Sequence, residues 1–213
     1  MNHATEKNGT RPLVFVDVDE VIVEFVQPFI RFLDERGLGF IQDRFAQPHN
    51  IIRPKSGQHV SPAMANRLLD LFWREQESRQ TPAPGAIEAL NSLDAIADIV
   101  ILTAVSPKHE ERRRRLLRSI GLQHPMIVAS GEKGAIIADH DSSEFSKVFL
   151  IDDAPANHAS LIAHVPGAYC VHLAAFKPFI PLMTLPSGVF MARDWDDAAS
   201  FIQSAIVEDR TVG

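Results

Sequence analysis

The chain has 213 residues, 46% of them apolar, which suits one packed core with room for a small insertion and does not demand two separate domains. A net charge of −6 argues against a binder of nucleic-acid polymers, whose affinity comes from clustered Lys and Arg. Cys170 is the only cysteine, which excludes an internal disulfide and a thiolate metal cluster, and no apolar run approaches the ~18–20 residues that span a bilayer. The expectation is a soluble chain compatible with a reducing cytoplasm and with no membrane partner.

Residues 1–10 are polar and are expected to form a disordered N-terminus. Leu13 to Asp17 reads as a buried strand ending in Asp17-Val-Asp19, so two carboxylates would emerge at its carboxyl end, where open α/β sheets place their ligands. Residues i and i+2 of a strand face one side, and two charges that close repel unless a cation or a shared proton relieves them. A metal site or a proton-transfer role follows; the alternative is that one Asp caps a helix while the other is solvated. The stretch 25–80 is long and aromatic, with Phe25, Phe29, Phe32, Phe40, Phe45, Phe72 and Trp73, and its spacing predicts helices near 26–36 and 62–78. An insertion of that length predicts a small helical cap.

From 84 onward strands and helices alternate. A helix over Pro84–Leu93 precedes a strand over Asp98–Thr103, and a charged helix over Pro107–Ile120 stops at Gly121. Further strands are expected at Met126–Ala129, Val148–Ile151, Ala168–Leu173 and Gly188–Ala192, and an amphipathic helix at Trp195–Val207, with 209–213 as a tail. This pattern predicts an α/β fold, a doubly wound and mostly parallel sheet, formed by 11–24 and 81–208 with 25–80 inserted as the cap. The row Glu110-Glu-Arg-Arg-Arg-Arg115 reads as a solvated helix face.

Asp17 and Asp19, Thr103, and Asp152-Asp153 each follow an apolar strand, and Lys133 lies between the last two strand ends. Carboxylates suit Mg²⁺, which prefers oxygen ligands and bridges them to phosphate oxygens. Lys133, Thr103 and nearby backbone N–H groups such as that of Ala104 supply the positive charge and donors a phosphoryl group needs.

The ordered set resembles the haloacid dehalogenase (HAD) superfamily in its phosphatase branch. Leu13 to Val21 matches the first motif, Ile99-Val-Ile-Leu-Thr103 the second, Lys133 the third, and Phe149-Leu-Ile-Asp152-Asp153-Ala-Pro-Ala-Asn157 the fourth. The resemblance implies a Rossmann-like core and a Mg²⁺-dependent phosphatase of small phosphomonoesters. Asp17 would be nucleophile and metal ligand, and Asp19 general acid/base with its backbone carbonyl on the metal. Thr103, Ala104 and Lys133 would hold the phosphoryl group, Asp153 would ligate the metal with Asp152 supporting it, and Asn157 would stand behind them. The early cap and the Ile151–Asn157 segment look deoxyribonucleotidase-like, which makes a nucleoside monophosphate the first substrate to consider. A HAD-fold module that binds a phospho-ligand or protein without turnover, and a phosphotransferase to an acceptor other than water, are the alternatives. Glu20 departs from the small residue, often Gly, that many members have there; its side chain is expected to turn outward to water.

Overall fold

A computed structural model of the chain describes residues 11–45, 50–140 and 145–208. The expected disordered start (1–10) and tail (209–213) lie outside the described residues. Strand β1 (Leu13–Val16) leads through a tight turn to α1 (Val26–Asp34), the two-residue strands β2 (Gly39–Phe40) and β3 (Ile51–Ile52), α2 (Pro62–Arg74) and the short α3 (Gln76–Arg79). There follow α4 (Ala86–Asp94), β4 (Asp98–Thr103), α5 (Glu110–Ser119), β5 (Met126–Val128), α6 (Lys133–Asp139) and β6 (Val148–Asp152). The chain ends in α7 (Pro155–His164), β7 (Tyr169–His172), β8 (Val189–Met191) and α8 (Trp195–Glu208).

Six strands form one parallel sheet in the order β5-β4-β1-β6-β7-β8. Alternation along the strands sends side chains to two layers. Val14 and Val16 of β1 join Ile99, Ile101, Phe149 and Ile151 in a layer completed by Leu90 and Leu93 of α4, Leu116 and Leu117 of α5, and Ile202 of α8. Leu13 and Phe15 face the other way, with Val100, Leu102, Leu150, Ile137 of α6 and Leu161 of α7. Both faces are covered, so the central strands are apolar throughout. Trp195 anchors α8 by donating its indole N–H to the Val21 carbonyl (3.0 Å).

The helices of 25–80 pack around a separate aromatic cluster of Phe25, Phe29, Phe32 and Phe72. Ser61 caps α2 by accepting from the Met64 N–H, and Pro62 fits the first turn. The helix predicted for 62–78 breaks at Glu75 and resumes as α3. Phe176 and Phe179, which come after β7, complete this cluster, so the insertion is packed against the main chain's own loops. Among the described residues no helix is long and apolar enough to cross a membrane.

Candidate active site

The sheet order changes direction at β1, which has β4 on one side and β6 on the other, each in register with Val16 opposite Ile101 and Ile151. Crevices at such switch points are where open α/β sheets hold ligands. Asp17 leaves the end of β1, Thr103 ends β4, Asp152 ends β6 and Asp153 follows it.

The structure brings Asp17, Asp152 and Asp153 together, with one carboxylate oxygen of each within 4.8 Å of the others. Lys133 sits among them, its Nζ 2.8 Å from Asp17 Oδ1 and 2.7 Å from Asp152 Oδ2. The lysine is the first residue of α6, and its reach depends on how closely α6 meets α7. A Cβ on Gly134 would fall 2.2 Å from the Ser160 carbonyl oxygen, so only glycine permits that approach. The two lysines that could have rivalled Lys133 lie elsewhere: Lys108 pairs with Asp70, and Lys147 donates to the Ala205 carbonyl.

Asp152 is already fully engaged. Its second oxygen accepts from the Ala154 N–H (2.8 Å) and from Asn157 Nδ2 (2.9 Å), so the residue both opens α7 and holds the lysine. Asp17 Oδ1 also accepts from the Val18 N–H (2.7 Å). The Asp153 carboxylate accepts no hydrogen bond among the described residues.

Charge in this centre does not balance. Burial raises the Asp17 pKa to about 7, with the Asp152 charge adding to it and Lys133 opposing. Burial and the carboxylates of Asp152, Asp17 and Glu20 push Asp153 well above its ordinary range. Asp152, despite burial, is held low by the Lys133 charge. Burial opposes the Lys133 ammonium, yet Asp152 and Asp17 outweigh it and keep the group charged. Three buried acids facing one ammonium fit a divalent cation, whose charge would settle the remainder.

Thr103 is buried, and its Oγ1 accepts from the Val105 N–H (3.4 Å) in the turn where Ala104 lies exposed. The structure therefore places both at the adjacent strand end. Asp19 lies outside the three-acid group. Its carboxylate is 23% exposed and takes Arg113 in a two-point pair, Nη1 to Oδ1 at 3.0 Å and Nη2 to Oδ2 at 2.8 Å, while Gln80 Nε2 donates to Oδ1 at 2.7 Å.

Two expectations fail here. Glu20 turns inward, not to water: it is 2% exposed. Its Oε1 accepts from the N–H groups of Phe25 (2.8 Å) and Val26 (2.6 Å), and its Oε2 from that of Phe176 (2.5 Å). The backbone at Glu20 has φ +65°, a left-handed geometry that explains why a glycine suits this place, and three backbone donors offset its strain. Burial still raises its pKa against those three donors. The arginine row is not uniformly solvated either. Arg113 is fully buried, on the helix face it shares with His109, Leu116 and Leu117, whereas Arg112 and Arg115 stay half exposed on Glu77. That spacing of i, i+4, i+7 and i+8 was the signal that one arginine belongs inside. Gln80 carried no comparable signal.

No protein-family model matches the sequence, and no curated protein matches it. Solved structures do share the fold. A haloacid dehalogenase-like family hydrolase from Streptococcus pneumoniae superposes with TM-score 0.59 at 13% identity over 91% of this chain and 98% of its own. YfnB from Bacillus subtilis, assigned as a HAD-hydrolase and solved with magnesium, gives TM-score 0.60 at 14% identity over 91% and 99%. The chain has the haloacid dehalogenase fold. A protein from Haemophilus somnus predicted to be a phosphoglycolate phosphatase shares this HAD fold, with TM-score 0.59 at 12% identity over 89% of this chain and 97% of its own.

Proposed function

We propose that the protein is a Mg²⁺-dependent phosphatase that hydrolyses a small phosphomonoester through an aspartyl-phosphate on Asp17. The observation that carries this reading is the uncompensated centre: Asp17, Asp152 and Asp153 buried at the switch point with Lys133 as their one ammonium. Asp153, whose carboxylate accepts no hydrogen bond among the described residues, and Asp17 would hold the metal together with the Asp19 backbone carbonyl. Asp152 serves mainly to fix Lys133. When bound, Mg²⁺ neutralises charge on the phosphoryl oxygens.

Asp17 attacks phosphorus as the bond to the leaving oxygen breaks, and Asp19 gives that oxygen its proton. Water then attacks the aspartyl-phosphate, Asp19 takes the water's proton, and the Asp17 carboxylate returns with release of phosphate. Lys133, Thr103 and the Ala104 N–H hold the phosphoryl oxygens, and Asn157 keeps Asp152 oriented. Residues 25–80 act as a cap that decides which leaving group reaches Asp19. A nucleoside monophosphate is the first substrate class to test. The early helical insertion and the Ile151–Asn157 segment, which look deoxyribonucleotidase-like, support it.

A phosphate-release screen over nucleotide, sugar and hydroxy-acid phosphates with Mg²⁺ tests the reading. Phosphate release that disappears with chelator and falls on the order of 10⁴-fold or more in Asp17→Asn is the expected result. Undiminished release by that variant would overturn the nucleophile.

A further inference from the structure

Arg113 is an expensive residue in its place. A guanidinium taken fully out of water is destabilising unless it is paired with good geometry, and its one partner among the described residues is the Asp19 carboxylate. The two-point pair fixes the plane of that carboxylate as well as its distance, which a single-point lysine contact would not do. Gln80 closes the arrangement from the other side. It donates to Asp19 Oδ1 and, at 3.1 Å, to the Glu24 carbonyl. The backbone of its segment is held by Glu24 N–H to Thr81 O (2.9 Å) and Ala83 N–H to Ile22 O (2.9 Å), so the passes entering and leaving the insertion are joined beside Asp19. Glu77, on the short helix α3 that Gln80 follows, pairs with Arg112 (3.1 Å) and Arg115 (2.9 Å) of the same arginine row as Arg113.

We propose that Arg113 is the positioning residue for Asp19, with Gln80 making that position depend on the seating of α3 against α5; this rests on the phosphatase reading above. Oδ1 accepts from both Arg113 and Gln80, while Oδ2 accepts from Arg113 alone. Oδ2 therefore keeps a lone pair in hand and is the oxygen that exchanges a proton with the leaving group. The Arg113 guanidinium is engaged by the Asp19 carboxylate, so it acts through Asp19.

The test compares benzyl phosphate, whose alkoxide leaves only with a proton, with 4-nitrophenyl phosphate, whose leaving group departs without one. The parameter is kcat/KM, which reports steps up to leaving-group departure and excludes the later hydrolysis of the aspartyl-phosphate. Arg113→Met should lose on the order of a hundredfold on benzyl phosphate and at least ten times less on 4-nitrophenyl phosphate. Gln80→Leu, which leaves the buried guanidinium paired, should show the same selectivity at roughly tenfold. Arg113→Lys should recover part of the loss. Equal losses on both esters, or none, in the folded variants overturn the positioning role while leaving the phosphatase reading intact. A wild-type protein inert toward every phosphate ester overturns that reading and this inference with it.

Discussion

At the strand ends three carboxylates share one ammonium in a buried centre, whereas two residues past Asp17 the carboxylate of Asp19 is partly exposed and matched by a whole guanidinium. The first region is short of positive charge and so has a place for a cation. The second is balanced, and what its ion pair supplies is orientation. Asp17 and Asp19 belong to one short motif, yet burial and partners give them opposite electrostatics. The contrast separates two kinds of fragility: removing charge from the centre should cost stability, and removing a partner from the seam should cost geometry.

The largest effect expected on stability comes from the centre. Lys133→Met leaves Asp17, Asp152 and Asp153 without their ammonium, a loss of about 3–5 kcal/mol for breaking a buried pair. In a chain this size that lowers the thermal midpoint by roughly 10 °C. Mg²⁺ should recover part of the loss, and Asp153→Asn should do the reverse: stabilise the metal-free protein and abolish the response to Mg²⁺. Differential scanning calorimetry with Mg²⁺ and with chelator reads both. A Lys133→Met variant as stable as the parent would mean the centre carries no charge deficit.

Glu20, next to Asp19, ties the start of the 25–80 segment to the loop after β7. Glu20→Ala removes the acceptor for three buried backbone N–H groups and keeps the left-handed backbone that alanine tolerates poorly, so a loss of about 2–4 kcal/mol is expected in urea unfolding. Glu20→Gly relieves the backbone and should recover about 1 kcal/mol of it. If the two variants unfold alike, strain at this residue is not part of the balance.

How much of this was legible follows from the same physics. Strand β4 was readable to the residue, Asp98–Thr103, because both faces of a central parallel strand are apolar. The residues at the ends of β1, β4 and β6 were readable because each of those strands is such a run. Arg113 was hidden by its neighbours: four arginines in a row look alike until the helix phase singles out the one aligned with Leu116 and Leu117. Gln80 and the inward turn of Glu20 depend on where distant segments come to lie, and Phe176 approaches Glu20 across 156 positions of sequence. His158 and His172, buried behind Asp152, had no spacing that would mark them.

Those two histidines give the centre an acid limit. Burial, and secondarily the neighbouring His158, lowers the pKa of His172 from an ordinary 6.5 to about 4. A group depressed in the folded state contributes stability above its unfolded value and loses it as pH falls from about 6.5 toward 4, because the unfolded chain takes the proton first. Among the described residues neither buried ring nitrogen of His172 has a hydrogen-bond partner. His172→Leu should therefore stabilise the protein relative to the parent, by up to about 2 kcal/mol more at pH 5 than at pH 7.5. A constant difference between the two pH values would show that His172 does not titrate in this range.

The smallest effect is expected on the outer side of the seam. Asp70 and Glu77 of the insertion face Lys108, His109, Arg112 and Arg115, a row of opposite charges that looks strong on paper. Lys108, Arg112 and Arg115 are each more than 40% exposed, and pairs in that setting are worth about 0–1 kcal/mol and are screened by salt. Glu77→Ala should therefore lower the free energy of unfolding in urea by less than about 1 kcal/mol, and 0.5 M NaCl should erase most of that difference. Arg113→Met, which deletes the buried member of the same helix, should keep its effect in high salt, because the Arg113 side chain is wholly out of water. If salt abolishes both effects equally, the Asp19 pair is an ordinary surface bridge, and the distinction between a seam that orients and a rim that only screens collapses.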